Sequence, residues 1–136
     1  MTWEPRPVPD VTPETEPYWT AAGDGELLVR KCHDCGLVYH YPRSLCPDCF
    51  SEAVEWCETS GHGEIYSYSV ARTMSGWPDE DLPLVLAYVE LEAGPRIMSI
   101  VDADPSAVEI GTHVAVRFVD AADSTIAVPV FVPVTD

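Results

Sequence analysis

Four cysteines carry the plainest chemistry in this sequence. Cys32-His33-Asp34-Cys35 and Cys46-Pro47-Asp48-Cys49 are C-x-x-C pairs with ten residues between them, and each pair can turn two thiolates toward a common centre. Four soft sulfurs suit tetrahedral zinc at about 2.3 Å. Gly36 lets the backbone fold tightly beneath the first pair, and Pro47 stiffens the second turn. The spacing assigns Cys32, Cys35, Cys46 and Cys49 as ligands of one structural Zn2+. Four thiolates close the shell and carry too much negative charge for a useful Lewis acid, so the metal holds shape. Disulfides would need an oxidising compartment, and a thioredoxin-like redox pair would need a βαβ setting around a single C-x-x-C.

The remaining reactive residue types do not assemble into a catalytic set. Cys57 beside Trp56 reads as a small core residue without a neighbouring base. His33, His40, His62 and His113 lack acids at metal-ligand spacing, no serine sits in a tight glycine elbow, and each histidine reads as structural. Arg72, Arg96 and Arg117 are the barrel's cations, each on or next to a strand, and local salt bridges outweigh phosphate contacts as their reading. Trp77-Pro78-Asp79-Glu80-Asp81 forms an acidic aromatic loop that is expected to face a partner.

These groups need elements to hold them. Residues 1–11 are proline-rich and aperiodic, an extended arm. Thr12, Pro13, Glu14 and Glu16 supply an N-cap, a first-turn proline and two acids for a short helix through Tyr18 and Trp19 to Gly23, with Gly23 as its left-handed end. Glu26 to Arg30 and Leu37 to Tyr41 predict two short strands flanking the metal loop. Gly61-His62-Gly63 is a breaker cluster, which places the domain boundary near Ser60. Beyond it, Ile65–Arg72, Leu84–Leu91, Arg96–Val101, the alternating Val114, Val116 and Phe118, and Ile126, Val128, Val130 and Val132 predict five strands. Asp104 to Val108 predicts one capped helical turn between the third and fourth. That order fits a C-terminal five-stranded OB-type Greek-key barrel. The chain divides into an arm and helix over 1–25, a zinc ribbon over 26–60 and a barrel over 61–136, a mainly β fold.

Composition excludes several function classes. A net charge of −16 and a pI near 4.3 repel phosphate backbones and anionic membranes, so neither nucleic acid nor a membrane is an expected partner. An apolar fraction of 46% is too high for a disordered acidic tail. No run approaches the roughly 18 apolar residues of a membrane span, and the start of the sequence lacks the basic and apolar regions of a signal peptide. A cytoplasmic protein is expected. Self-repulsion of this size is tolerated best where salt screens it, so a halophilic cytoplasm is the expected setting.

Several separated residues together resemble a known family. Pro13-Glu14 through Tyr18-Trp19, Cys32-x-x-Cys35-Gly36, Tyr41-Pro42-Arg43-x-x-Cys46-Pro47-x-Cys49, Trp56, Gly61-x-Gly63 with Ile65-Tyr66-Ser67-Tyr68, Pro83, Val89-Glu90-Leu91, Gly94-Pro95-Arg96 and Gly111 resemble the zinc-ribbon plus OB-fold acyl-CoA-associated proteins. The resemblance implies an N-terminal helical arm, a rubredoxin-like zinc ribbon and an OB barrel. It also implies a non-catalytic accessory or scaffold subunit of a thiolase-fold acyl-CoA enzyme, whether thiolase, acyltransferase or aldolase, with the catalytic cysteine in the partner. In some archaeal pathways a similar protein bridges acetoacetyl-CoA thiolase and 3-hydroxy-3-methylglutaryl-CoA synthase.

Coenzyme A is polyanionic, so an acidic chain is expected to hold acyl-CoA only at a site shared with its partner. Arg43, Arg72, Arg96 and Trp77 are the candidate CoA or partner contacts. Two alternatives carry different expectations: an independent OB-fold binder of a ligand or nucleic acid, which would need a basic groove with stacked aromatics, and a small redox protein with iron in the four-sulfur site.

Overall fold

The computed structural model describes residues 3, 6, 8–121 and 126–134. Met1, Thr2, Glu4, Pro5 and Pro7 of the expected arm lie outside them, as do residues 122–125 before the last strand and the final two residues.

One helix, α1, spans Glu16–Gly23. It starts later than the Thr12 cap implied, because Thr12 and Thr15 first close a turn of their own. Thr15 N and Glu16 N donate to Thr12 O at 3.0 and 2.8 Å, and Thr12 N donates to Thr15 Oγ1 at 3.0 Å. The left-handed residue at the far end is Gly25 (φ 84°), not Gly23. Asp24, Gly25 and Glu26 donate their amides back to Ala21, Ala22 and Ala21, which satisfies the helix's last carbonyls. Tyr18, Ala21 and Ala22 form the buried face.

The ribbon is a three-stranded antiparallel sheet of β1 (Leu28–Cys32), β2 (Val38–Tyr39) and β3 (Val54–Glu58), in the order β2-β1-β3. The sequence reading anticipated the first two and missed the third. Val54 to Glu58 shows no clean in-out alternation, because Val54, Trp56 and Cys57 are all half-buried and the period-2 signal is absent. Arg30, opposite Trp56 in the register, lays its guanidinium 4.2 Å from that ring's centroid.

The barrel comprises β4 (His62–Ala71), β5 (Leu84–Leu91), β6 (Arg96–Val101), β7 (His113–Asp120) and β8 (Ala127–Pro133). They close in the order β4-β5-β6-β8-β7, with β6 and β8 parallel and the other neighbours antiparallel. This is the expected OB-type closure. The turn between β6 and β7 is a single 3-10 turn, Pro105–Ala107, and the Asp104 side chain accepts from Ser106 N at 2.9 Å.

Of the glycine pair read as a breaker, Gly61 sits left-handed (φ 76°) just before β4, and Gly63 lies inside the strand. A Cβ on Gly63 would stand 2.5 Å from Glu90 O, so only glycine lets β4 and β5 approach at that point. A bulge between Ile65 and Ser67 then leaves Tyr66 as the extra, exposed residue.

Two apolar clusters fill the interior. One joins all three parts of the chain: Tyr18 from α1, Leu27 and Val29 from the ribbon, and Ile65, Val89, Ile97, Val114 and Phe131 from the barrel. The other sits at one end of the barrel, where Leu84, Ile100, Val119 and Val130 pack with Trp3 from the arm. The arm is therefore a docked strap at Trp3 and Arg6, since aromatic area of that size stabilises most when buried.

Candidate functional site

The two cysteine pairs form matching turns. Cys32 N donates to Leu37 O and Cys46 N to Ser51 O, each at 2.9 Å, while Gly36 N and Phe50 N return to Cys32 O and Cys46 O at 3.0 and 2.9 Å. Both closing residues are left-handed, Gly36 at φ 79° and Phe50 at φ 64°. Cys32 and Cys46 are fully buried, and Cys35 and Cys49 lie at the surface.

The four sulfurs lie within 4.8 Å of one another, with Cys35 Sγ to Cys46 Sγ at 3.5 Å and Cys32 Sγ to Cys49 Sγ at 3.6 Å. A tetrahedron of sulfurs at zinc's bond length has edges of about 3.8 Å, whereas a disulfide would bring two of them to about 2.0 Å. The spacing fits the metal and not the disulfide. The amides of Cys35 and Asp34 lower the Cys32 thiol to about 7 despite its desolvation, whereas the neighbouring sulfurs and desolvation hold Cys35 above its usual range and push Cys49 up to about 12, so Cys32 takes the first negative charge of the set. His33 turns away, its Nε2 3.1 Å from Glu55. Structural zinc in a ribbon of four cysteines is the cofactor that this donor set fits.

Cys57 is half-buried rather than buried, and desolvation, then the Glu55 charge, raise its thiol. That is the opposite of an activated nucleophile.

Where α1, the ribbon and the barrel meet, an apolar groove of about 370 Å³ opens among Trp19, Tyr41, Pro42, Met98, Val128 and Pro129. A second cleft of about 350 Å³ shares His40 and Tyr41 with it and is lined also by Pro47, Arg43 and Arg96. The structure thus brings together two of the four predicted contact residues, Arg43 and Arg96. Arg96 is shared with Glu90, whose Oε2 its Nε meets at 3.0 Å, and its guanidinium lies 3.7 Å from the Tyr66 ring centroid. Arg43 is exposed, and its carbonyl accepts from the Tyr39 hydroxyl at 2.8 Å.

The other two predicted contacts lie elsewhere. Arg72 follows β4 as an exposed residue that lines neither cleft. Trp77, the other of these, is half-buried: it stacks edge-on against Trp3, with centroids 5.6 Å apart, and carries the Arg6 guanidinium at 4.4 Å. Of the acids beside it, Asp81 pairs with the buried Arg6, while Asp79 and Glu80 are exposed. Arg117 pairs with Asp102, in keeping with the salt-bridge reading.

The sequence reading passed over the groove's apolar lining and the particular environment of His40. That imidazole is largely buried against the rings of Tyr18 (5.8 Å) and Tyr41 (4.9 Å). Desolvation lowers its pKa to about 4, and Nδ1 has no hydrogen-bond partner among the described residues. The run Tyr39-His40-Tyr41-Pro42 was the available signal: three consecutive rings before a proline at a ribbon strand's end.

Comparison with known proteins matches these parts in order. A family model for the ChsH2 rubredoxin-like zinc ribbon domain matches residues 19–55, and one for the ChsH2 C-terminal OB-fold domain matches residues 56–119. A DUF35 domain-containing scaffold protein of Methanothermobacter thermautotrophicus is 43% identical over 68% of this chain and 71% of its own length. A probable enoyl-CoA hydratase alpha subunit of Thermomonospora curvata is 33% identical over 94% of this chain, which spans 40% of that protein's length. Among solved structures, the Ltp2-ChsH2(DUF35) aldolase superposes with a TM-score of 0.80 and 31% identity, covering 93% of this chain and 98% of that one. The four-sulfur ribbon, the closed barrel and these matches together make this chain a member of the ChsH2-type DUF35 family of zinc-ribbon plus OB-fold proteins.

Proposed function

We propose that this chain is a non-catalytic accessory subunit of a thiolase-fold acyl-CoA enzyme, docking on that enzyme and completing a shared acyl-CoA site. One observation carries the reading: the apolar groove of Trp19, Tyr41 and Met98 shares His40 and Tyr41 with a cleft edged by Arg43 and Arg96, and no activated nucleophile lies beside it among the described residues. Elongated apolar space with cations at one end suits an acyl-pantetheine arm and its phosphates. Two cations on a chain of charge −16 supply too little potential alone, so the partner contributes the rest.

Relatives described as scaffold proteins and as part of an aldolase support the accessory role. Relatives described as hydratase alpha subunits are much longer proteins, of which this chain spans 40% and 37%. The partner class is thiolase, acyltransferase or aldolase, with 3-hydroxy-3-methylglutaryl-CoA synthase as a second possible member of the assembly. A halophilic cytoplasm is the setting we propose from the charge.

Mild affinity purification from native cells at their own ionic strength, followed by mass spectrometry, tests the reading. Stoichiometric recovery of a thiolase-fold protein supports it. Recovery of this chain alone removes it. Arg43→Glu and Arg96→Glu should then weaken desulfo-CoA binding to the complex at least tenfold, and unchanged binding removes the shared site alone.

A further inference from the structure

Phe50 is the only non-glycine residue with a left-handed backbone among the described residues. It closes the second cysteine turn where Gly36 closes the first, through the same hydrogen bond to the preceding pair's leading carbonyl. A bulky side chain is a genuine outlier in this region, because its Cβ crowds the following carbonyl, and glycine is spared that strain. Packing within the chain does not offset the strain, since Phe50 is 74% exposed. Leu45, 43% exposed, stands beside it, and with Pro47 the two edge a shallow depression of about 270 Å³.

An aromatic ring held out at a strained position is an arrangement that contact with another molecule would repay. We infer that Phe50 and Leu45 form a docking knob that inserts into an apolar pocket rimmed by lysine or arginine on the thiolase-fold partner. The inference rests on the accessory-subunit reading above.

Charge selects this occupant. Asp48 and Glu52 flank the ring in sequence, and Asp34 joins them from the other turn, where it accepts a hydrogen bond from Ser51 Oγ. The four thiolates beneath outnumber the charge of a divalent ion, so the loaded centre also stays net negative. Arg43 is the one cation lining the depression among the described residues, and Glu14, whose carboxylate accepts from Ser44 N and Oγ at 2.9 Å each, lines it too and lies within range of the Arg43 and Arg30 charges. A second copy of this chain, at −16, and an anionic lipid surface would both be repelled by such a tip. A cationic rim would be attracted, and an apolar pocket would remove the ring from water.

The backbone makes the test selective. Phe50→Gly relieves the left-handed strain, so it should keep its zinc and melt at the wild-type temperature or above it. Binding to the thiolase-fold subunit recovered in the purification described above, measured by titration calorimetry at native ionic strength, should weaken at least tenfold. Leu45→Ser should shift affinity in the same direction.

Unchanged affinity in both variants would overturn the inference. So would loss of zinc or a lowered melting temperature in Phe50→Gly, which would make the ring a cover for the metal centre. Dimers in wild type that become monomers in Phe50→Gly would overturn it in favour of self-association. If the wild-type chain binds no thiolase-fold subunit, the accessory reading itself has failed, and that is seen before any variant is compared.

Discussion

The Arg6 guanidinium lies 4.4 Å from the centroid of the Trp77 ring and 5.7 Å from that of Trp3, while Asp81 accepts its hydrogen bond. One arginine thus ties the N-terminal arm to the loop between β4 and β5. Trp77→Ala removes the surface on which both Arg6 and Trp3 rest and should cost about 2 kcal/mol in urea unfolding. Limited proteolysis should cut the arm first. If the arm stays protected and stability is unchanged, the strap does not hold it.

Metal removal should be felt through the ribbon, because its two turns are held chiefly by backbone bonds, the four sulfurs and the Ser51 Oγ bond to Asp34. Cys46→Ser, at a fully buried ligand position, should lose zinc and lower the melting temperature by about 10–20 °C. Chelation of the wild-type protein should do the same, and added zinc should reverse it. Far-ultraviolet circular dichroism and metal analysis follow both steps; a zinc-free protein with wild-type melting would contradict the structural role.

His40 sets a pH dependence with a definite sign. Burial holds its folded pKa near 4 against an ordinary value of 6.5, so below pH 6.5 the unfolded chain takes up a proton that the folded one refuses. Its contribution to stability is complete above pH 6.5 and is lost progressively as pH falls toward 4, by about 3 kcal/mol at most. His40→Phe should flatten that part of the stability curve. The comparison belongs between pH 5 and 6.5, with zinc content followed in parallel, because protonation of the ligand thiolates would release the metal. Parallel curves for both proteins would remove the assignment.

Gly63→Ala should be more costly than a strand glycine ordinarily is. The new methyl would meet Glu90 O at 2.5 Å and Val89 Cγ1 at 2.9 Å, so β4 and β5 must separate. A loss of about 2 kcal/mol is expected, with faster amide exchange at Glu90 and at Glu92, whose N–H donates to His62 O across the pair at 3.0 Å, as the local readout.

Salt should stabilise the folded chain. At about 1 M the screening length is roughly 3 Å, which mutes the repulsion among 23 acidic residues faced by 7 basic ones. Differential scanning calorimetry should show a rise of about 5 °C or more from dilute buffer to molar salt. An unchanged midpoint would sink the proposed halophilic setting.

Much of this was legible from residue types because the signals were local. Two C-x-x-C pairs name a metal with no knowledge of the surrounding sheet, and the barrel strands alternate or run apolar according to which face they bury. What escaped depended on long-range contact. Val54 to Glu58 lacks alternation because its sheet is covered unevenly, so β3 gave no period. Trp77 looked exposed because its partners, Trp3 and Arg6, lie more than seventy positions away in the chain. The groove is walled by three separate elements, and no single window of sequence contains it. Phe50 escaped for another reason: a backbone angle is invisible in a residue's name, and only the parallel with Gly36 exposes it.

Tyr18, Val29 and Ile65 share one continuous apolar interior, although they come from the helix, the ribbon and the barrel. Among the described residues, that interior spans the point where the sequence changes character. The chain works as a set square: the angle between the knuckle that carries Phe50 and the barrel wall that carries Met98 is built in. Under the proposed accessory role, a partner that gripped both surfaces at once would inherit that angle.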